Sequence, residues 1–249
     1  MHRFFLPADW LSEDTVAITG KLVHQLRHVL RLGAGDHITV LNNSGWEYEV
    51  ELQKVGSSKV EGRVIGKSPA VKEPRTKITL YQALLKGSNF EFVLQKCTEI
   101  GVAGFVPVIC ERCVAGEPDG KRLSRWKNII TEAAEQSRRG KLPILHDPVN
   151  FTQACRSASG ISLLPWEGEK AQSIGDVLRV YHQTEKIPKF SIFIGPEGGF
   201  SSHEVDMAQS SGVEPVSLGS RILRAETAGL VTAAVILYEF GEMNNSSAR

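Results

Sequence analysis

Phe190-Ser191-Ile192-Phe193-Ile194-Gly195-Pro196-Glu197-Gly198-Gly199-Phe200-Ser201-Ser202-His203-Glu204 reads as a strand, a glycine turn and the start of a helix. Residues 190–194 are mostly apolar and partly β-branched, the composition of a parallel strand covered on both faces. Gly195, Gly198 and Gly199 permit positive φ and the close approach of another group to the backbone. Ser201, followed three residues on by Glu204, predicts a capping box and therefore a helix start. The turn then lies at the carboxyl end of a strand, where open α/β sheets bind ligands.

The pattern recurs about 25 residues later. Pro215 to Leu218 reads as a short strand, and Gly219 to Ala228 as a loop running into a long apolar helix. Two such loops so close together predict one shared pocket, although ordinary turn chemistry explains either loop alone. Neither is a phosphate cradle. The Gly-Lys-Ser/Thr of a P-loop and the Gly-x-Gly-x-x-Gly pattern are both missing from these loops, and Glu197 would repel an anion.

Gly195-Pro196-Glu197-Gly198-Gly199-Phe200-Ser201, followed by Leu218-Gly219-Ser220-Arg221-Ile222-Leu223-Arg224-Ala225-Glu226-Thr227-Ala228, resembles the SPOUT superfamily of RNA methyltransferases. Within it, the likeness is to enzymes that methylate N3 of a uridine in 16S ribosomal RNA. The resemblance implies an α/β fold: a C-terminal, mostly parallel sheet with a trefoil knot, preceded by a small PUA-like or OB-like β-barrel. It implies S-adenosyl-L-methionine as cofactor, held by Ile194 to Gly199, Leu218, Gly219, Ile222 to Arg224 and Glu226 to Ala228. It also implies a homodimer acting on the small ribosomal subunit. Two alternatives stay open: a SPOUT enzyme of other specificity, such as ribose 2′-O, and a non-catalytic RNA-binding protein that keeps the fold.

At 249 residues, with 41% apolar and 23% charged residues, the chain is long enough for one domain or two. A net charge of +1 announces no nucleic-acid partner, so any basic footprint must be local. The start of the chain has no signal-peptide core, and the apolar run Ala228 to Tyr238 is too short to span a bilayer. Four cysteines in such a chain predict a reducing, cytoplasmic setting. Cys110-Glu111-Arg112-Cys113 has motif spacing, yet no second ligand pair accompanies it, so no metal is expected.

Residues 1–72 form the first expected domain. His37–Leu41, Trp46–Leu52 and Val60–Ile65 alternate apolar with polar, and Asn42 to Gly45 supplies a hairpin turn. Short antiparallel strands of this kind predict a small barrel. Leu22 to Arg31 reads as a helix with apolar face Leu22, Leu26, Val29 and Leu30, which leaves His24, Arg27, His28 and Arg31 outside. That outer set is a plain solvated face or, given the resemblance, an RNA contact. Ser68 to Arg75 is the expected linker, and the tail from Asn244 is expected to fray.

Residues 73–249 alternate strands with helices, which predicts a mostly parallel sheet with the cofactor site within about 190–240. Ser88 with Glu91 predicts a second capping box, on a helix closed by Gly101. Lys121 to Arg139 is expected as a long helix burying Leu123, Trp126, Ile129, Ile130 and Ala133. The segment 121–141 carries seven cationic side chains against two carboxylates, whereas 190–249 carries three against seven. The first suits an RNA backbone and the second a cationic cofactor.

Uridine N3 must lose a proton, and its negative charge spreads onto O2 and O4. Arg224 or Arg138 is the candidate for stabilising that charge, and Glu135 or Glu197 for taking the proton. Glu197 serves equally as a dipole partner for the helix starting at Ser201. Lys86, Gln136, Arg138 and Arg139 are candidates on the RNA side; Lys86 with Glu99 forms an ion pair on the bland reading.

Overall fold

The computed structural model describes residues 1–70, 73–182 and 188–244. Val71 and Lys72 of the expected linker, and the tail beyond Asn244, lie outside the described residues. The chain divides into two compact units: Met1–Glu73 with Ala134–Leu142, and Pro74–Ala133 with Pro143–Arg249.

In the first unit the strands are β1 (His2–Phe5), β2 (Thr15–Thr19), β3 (His37–Leu41), β4 (Trp46–Val55) and β5 (Lys59–Pro69). They form one curled sheet in the order β1-β3-β4-β5-β2, antiparallel except for the parallel pair β1 and β3. Register shifts at Glu49/Val50 and Leu52/Lys54 increase the local twist and wrap the sheet around Ile18, Ile38, Val40, Val50, Leu52 and Val60.

The helix expected over 22–31 is α1 (Lys21–His24) only at its start; Gln25–Val29 is a π-type turn in which the Leu30 amide donates to the Gln25 carbonyl. The wider turn moves the buried face. Val23 and Leu26 are buried, Leu22 and Leu30 half-buried, and Val29, expected inside, is 64% exposed. Arg31 follows in the left-handed region at φ 56°.

Segment 134–142 belongs to the first unit because its polar groups bond there. Glu135 Oε1 accepts the Phe5 amide at 2.8 Å, Arg3 donates to the Arg139 carbonyl, and the Leu142 amide donates to Asn43 Oδ1. Arg139, expected to face RNA, is instead buried, with its guanidinium 2.6 Å from Glu73. Glu73 also accepts the amides of Gly140 and Lys141.

The second unit contains β6 (Lys77–Ala83), α2 (Asn89–Ile100), β7 (Gly104–Ile109), α3 (Gly120–Gln136, ending in the first unit), β8 (Ile144–Leu145), β9 (Val149–Asn150) and α4 (Phe151–Ser157). It continues with β10 (Ile161–Pro165), α5 (Ile174–His182), β11 (Lys189–Ile194), α6 (Ser202–Ser210), β12 (Glu214–Val216) and α7 (Ala225–Glu239). Every strand pair is parallel, in the order β12-β10-β11-β6-β7-β8, with β9 beside β7.

Strand alternation sorts the core into two layers. Ile78, Leu80, Phe190, Ile192 and Ile194 pack against α2, α3, α5 and α7. Tyr81, Ala83 and Phe193 pack against α4 and α6, with the Tyr81 and Phe193 rings stacked at 4.6 Å. With both faces covered, the carboxyl ends of the strands are where a ligand site falls in such a sheet.

Gly101 closes α2 in the left-handed conformation at φ 112°. The box expected at its start is missing: Ser88 makes no side-chain cap, and Glu91 pairs with Arg125 at 2.7 Å. Trp126, Ile130 and Ala133 of α3 are buried, whereas Leu123 and Ile129 are half-buried. Among the described residues no helix is long and apolar enough to cross a membrane.

Removing one partner of a buried ion pair leaves an uncompensated charge, so Arg139→Ala is expected to lower unfolding free energy by about 3 kcal/mol. Urea denaturation followed by circular dichroism checks this; an unchanged midpoint would contradict a structural role for Arg139.

Candidate functional site

Two adjoining cavities of about 500 and 510 Å³ open at the carboxyl edge of the parallel sheet. Both are lined by Pro165, Glu167, Ile222, Leu223 and Ala228, so together they form one cleft. The first continues along Trp166, Glu169, Lys170 and residues 217–221; the second along Ile194 to Phe200, Asn89 and Arg224 to Glu226. Its size is that of a small-molecule site. The walls are the loops after β10, β11 and β12. The Pro165 to Lys170 wall escaped the motif reading, although the strand-end rule that selected Gly195 applies equally to the residues after Leu164.

The glycine turn is held from behind. Gly199 has φ 66° and donates to the Pro196 carbonyl at 2.9 Å; a Cβ on it would stand 2.9 Å from Glu167 Oε1. Ser201 caps α6 by accepting the Glu204 amide, and Glu204 returns Oε2 to the Ser201 amide. The other Glu204 oxygen accepts the Glu111 amide at 2.8 Å, while Ser201 Oγ donates to Glu111 Oε2 at 2.6 Å. Arg112 Nη1 donates to the carbonyls of Gly198 at 3.0 Å and Phe200 at 3.3 Å. Glu197 does not cap α6; it accepts the Lys86 amide at 2.9 Å and ties the loop after β6 to the turn.

The cysteine pair therefore flanks the buttress of this turn. Cys113 Sγ accepts the Cys110 amide and a thiol hydrogen bond from Cys110, which brings the half-buried Cys113 down to about 7. That same bond, with burial, pushes Cys110 far up, and burial raises Cys97 and brings Cys155 to about 11. Among the described residues no three His, Cys, Asp or Glu side chains are placed to hold a metal ion.

The opposite wall is different. Gly219 has φ 102°, and the amides of Ser220 to Arg224 have no hydrogen-bond partner among the described residues. Ile222 presents a bare side chain, 86% exposed. Arg224 is the N-cap residue of α7; its exposed guanidinium lies 3.9 Å from Glu226. The acidic wall expected from the segment charge is only partly realised, because Lys170, Arg221 and Arg224 stand among Glu167, Glu169, Glu197 and Glu226.

Of the residues expected around a cofactor, Ile194 to Gly199, Leu218, Gly219, Ile222 to Arg224, Glu226 and Ala228 line the cleft. Thr227 does not; its amide donates to the Arg224 carbonyl in the first turn of α7. Lys86 is exposed, and Glu99 pairs with Lys96 at 2.8 Å rather than with Lys86. In the first unit His24, Arg27, His28 and Arg31 are all exposed, the two imidazoles 4.9 Å apart. Gln136 and Arg138 are exposed as well, Arg138 in the left-handed region at φ 59°. Glu135, a candidate base, has one oxygen engaged by the Phe5 amide.

The chain matches the RNA methyltransferase domain over residues 72–237 and the RNA methyltransferase PUA domain over residues 18–65, which defines the class as an RNA methyltransferase. It is 34% identical over 238 residues to the ribosomal RNA small subunit methyltransferase E of Synechocystis, covering 94% of this chain and 77% of that one. The crystal structure of the Neisseria gonorrhoeae ribosomal RNA small subunit methyltransferase E, bound to S-adenosyl methionine, superposes with TM-score 0.86 at 31% identity, over 96% of this chain and 97% of that one. A Legionella pneumophila methyltransferase with bound SAM gives TM-score 0.86 and 31% identity, over 95% and 96% of the two chains. The chain belongs to the ribosomal RNA small subunit methyltransferase E family.

Loss of the guanidinium in Arg112→Ala is expected to loosen the turn by about 1 kcal/mol, roughly fivefold faster hydrogen exchange at Gly198 to Phe200. Because only thiolate alkylates, iodoacetamide is expected to label Cys113 with a pH midpoint near 7 while Cys97 stays protected. Peptide mass spectrometry reads both.

Proposed function

We propose that this protein is an S-adenosylmethionine-dependent methyltransferase acting on N3 of a uridine in small-subunit ribosomal RNA. The observation that carries the reading is the cleft, where the two loops with the SPOUT-like pattern wall one space of cofactor size. Its chemistry fits the cofactor. Unpaired backbone amides at 220–224 suit the edge of an adenine, and bare Ile222 with Leu223 suits its faces. Glu167, Glu169 and Glu226 suit a cationic sulfonium and ammonium. The cofactor supplies an already activated methyl group, so the protein's share is positioning and charge stabilisation.

Arg224 borders the cleft with an exposed guanidinium, only distantly paired with Glu226 at 3.9 Å, and stabilises the anion spread over O2 and O4 as the imide proton leaves. Arg138 is the second candidate for that role. Glu197 and Glu135 each accept a backbone amide, and one of these two carboxylates is the candidate proton acceptor. N3 lies on the pairing edge of uracil, so the nucleotide reacts only when unpaired or flipped out. The exposed His24, Arg27, His28 and Arg31 face the RNA backbone, as do Lys86, Gln136 and Arg138; buried Arg139 acts by holding its segment.

The first unit serves as the RNA-binding domain and the second as the methyltransferase domain. The trefoil knot belongs to this reading. It is supported by the chain path: β12 is the outer neighbour of β10, yet α7, which follows it, packs on α2, β6 and β11. A homodimer built through α7 also belongs to it. That helix is apolar all round, half-exposing Leu230, Val231 and Val235 and exposing Tyr238, a pattern that calls for cover on its outer side. The working place is the cytoplasm, where the ribosomal substrate is.

The test is methylation of 30S particles or 16S rRNA from a strain lacking the enzyme, with the modified nucleoside identified by mass spectrometry. The expected product is 3-methyluridine; a ribose-methylated nucleoside overturns the assignment. Calorimetry should detect the cofactor well below about 1 mM, a binding free energy stronger than about −4 kcal/mol. Arg224→Ala is expected to lower kcat by about 10²–10³-fold with the fold intact.

A further inference from the structure

The hairpin between β3 and β4 carries a surface that the roles above leave unused. Asn43 and Gly45 turn the chain at φ 64° and 90°, and Trp46 follows as the first residue of β4, 40% exposed. Across the β4–β5 ladder Trp46 lies opposite Pro69, and Tyr48 opposite Lys67. Strand alternation puts Trp46 and Tyr48 on one face and Glu47 and Glu49 on the other. Those two carboxylates are turned to other partners, Arg3 at 2.9 Å and His37 at 3.0 Å.

One ammonium group stands over the indole, and a second lysine lies beside the turn that precedes it. Lys67 Nζ stands 4.8 Å from the centre of the Trp46 ring and 5.5 Å from that of Tyr48. Lys141 lies across the turn, its Cε 3.6 Å from where a Cβ on Gly45 would be. Neither lysine meets a carboxylate among the described residues. Glu73, bonded to the Lys141 amide, is already engaged by Arg139. An exposed aromatic ring with unneutralised lysines at the ring and at the adjoining turn is the arrangement of a nucleotide platform, with the base stacked on the ring and phosphates beside the lysines. Protein interfaces also favour tryptophan but are depleted in lysine.

We propose that Trp46, Tyr48 and Lys67, with Lys141 at their edge, form a stacking platform for an unpaired nucleotide of the RNA substrate. It is a second RNA contact of the first unit, separate in sequence and element from the His24 to Arg31 turn. The proposal rests on the reading of the protein as an RNA methyltransferase. It adds single-strandedness at the contact as a recognition element, because a stacked, paired base offers no free face.

The test uses the full-length protein in two assays: anisotropy of a fluorescently labelled, single-stranded uridine-containing RNA, and steady-state methylation of unmethylated 30S particles. Trp46→Ala is expected to weaken RNA binding and raise KM for the particle about tenfold, with cofactor affinity unchanged and Trp46→Phe retaining most of the binding. Lys67→Glu is expected to weaken binding and to lower the salt dependence by about one ion. Thermal melts confirm folding of each variant. If Trp46→Ala binds and methylates RNA as the wild type does, the platform is overturned while the enzyme reading stands. A variant that changes only sedimentation identifies a protein contact instead and also overturns it. A wild type that neither binds nor methylates RNA removes the enzyme reading and the platform with it.

Discussion

A buried carboxylate must be fully hydrogen-bonded or it destabilises the fold, and Glu204 meets that demand in a way that shapes the site. One oxygen closes the cap of α6 on Ser201; the other accepts the amide of Glu111, which follows β7 two strands away from β11. Glu111 completes the circuit by accepting Ser201 Oγ. The loop after β7 is thereby fixed against the loop after β11, and Arg112 comes to rest on the carbonyls of Gly198 and Phe200. The glycine turn gains a defined shape from contacts on its far side, so its near side is free to meet a ligand.

That circuit also explains what the sequence could and could not disclose. The capping box is local: its partners stand three residues apart, and Ser201 and Glu204 announce it. The bond from Glu204 to Glu111 joins residues with no shared periodicity, and nothing in Cys110-Glu111-Arg112-Cys113 distinguishes a buttress from two thiols at a strand end. The box expected at Ser88 shows the converse. The same spacing failed there because Arg125, on another helix, takes the Glu91 carboxylate. Local patterns are legible until a tertiary partner competes for the same atoms.

The parallel sheet was legible because strands buried on both faces are apolar along most of their length, as Phe190 to Ile194 is but for Ser191. The first unit was legible as alternating strands, but Val29 was misplaced since an α-helical period does not anticipate a π-type turn. Arg139 was misread for a related reason. Within a run of seven cations its sequence context is that of a solvated face, and only the fold brings Glu73 against it. Composition reports how many charges a segment carries; which of them remain free depends on acids far away in the chain. Arg125 and Arg139 are neutralised in this way, whereas Arg138, between buried Arg139 and half-buried Ser137, is left exposed.

The two walls of the cleft differ in how firmly they are held. The turn at 195–199 is braced by Arg112, by the Ser201–Glu204–Glu111 circuit and by Glu197 on Lys86, so it resists displacement. Among the described residues the loop at 217–224 has a single side-chain brace, Ser217 to the Gly219 amide, and a run of unpaired amides beyond it. Few internal bonds mean low local stability and leave those amides available to a ligand. Arg224 stands where that loop joins α7. Its exposed guanidinium, 3.9 Å from Glu226, therefore sits between the less braced wall and a regular helix.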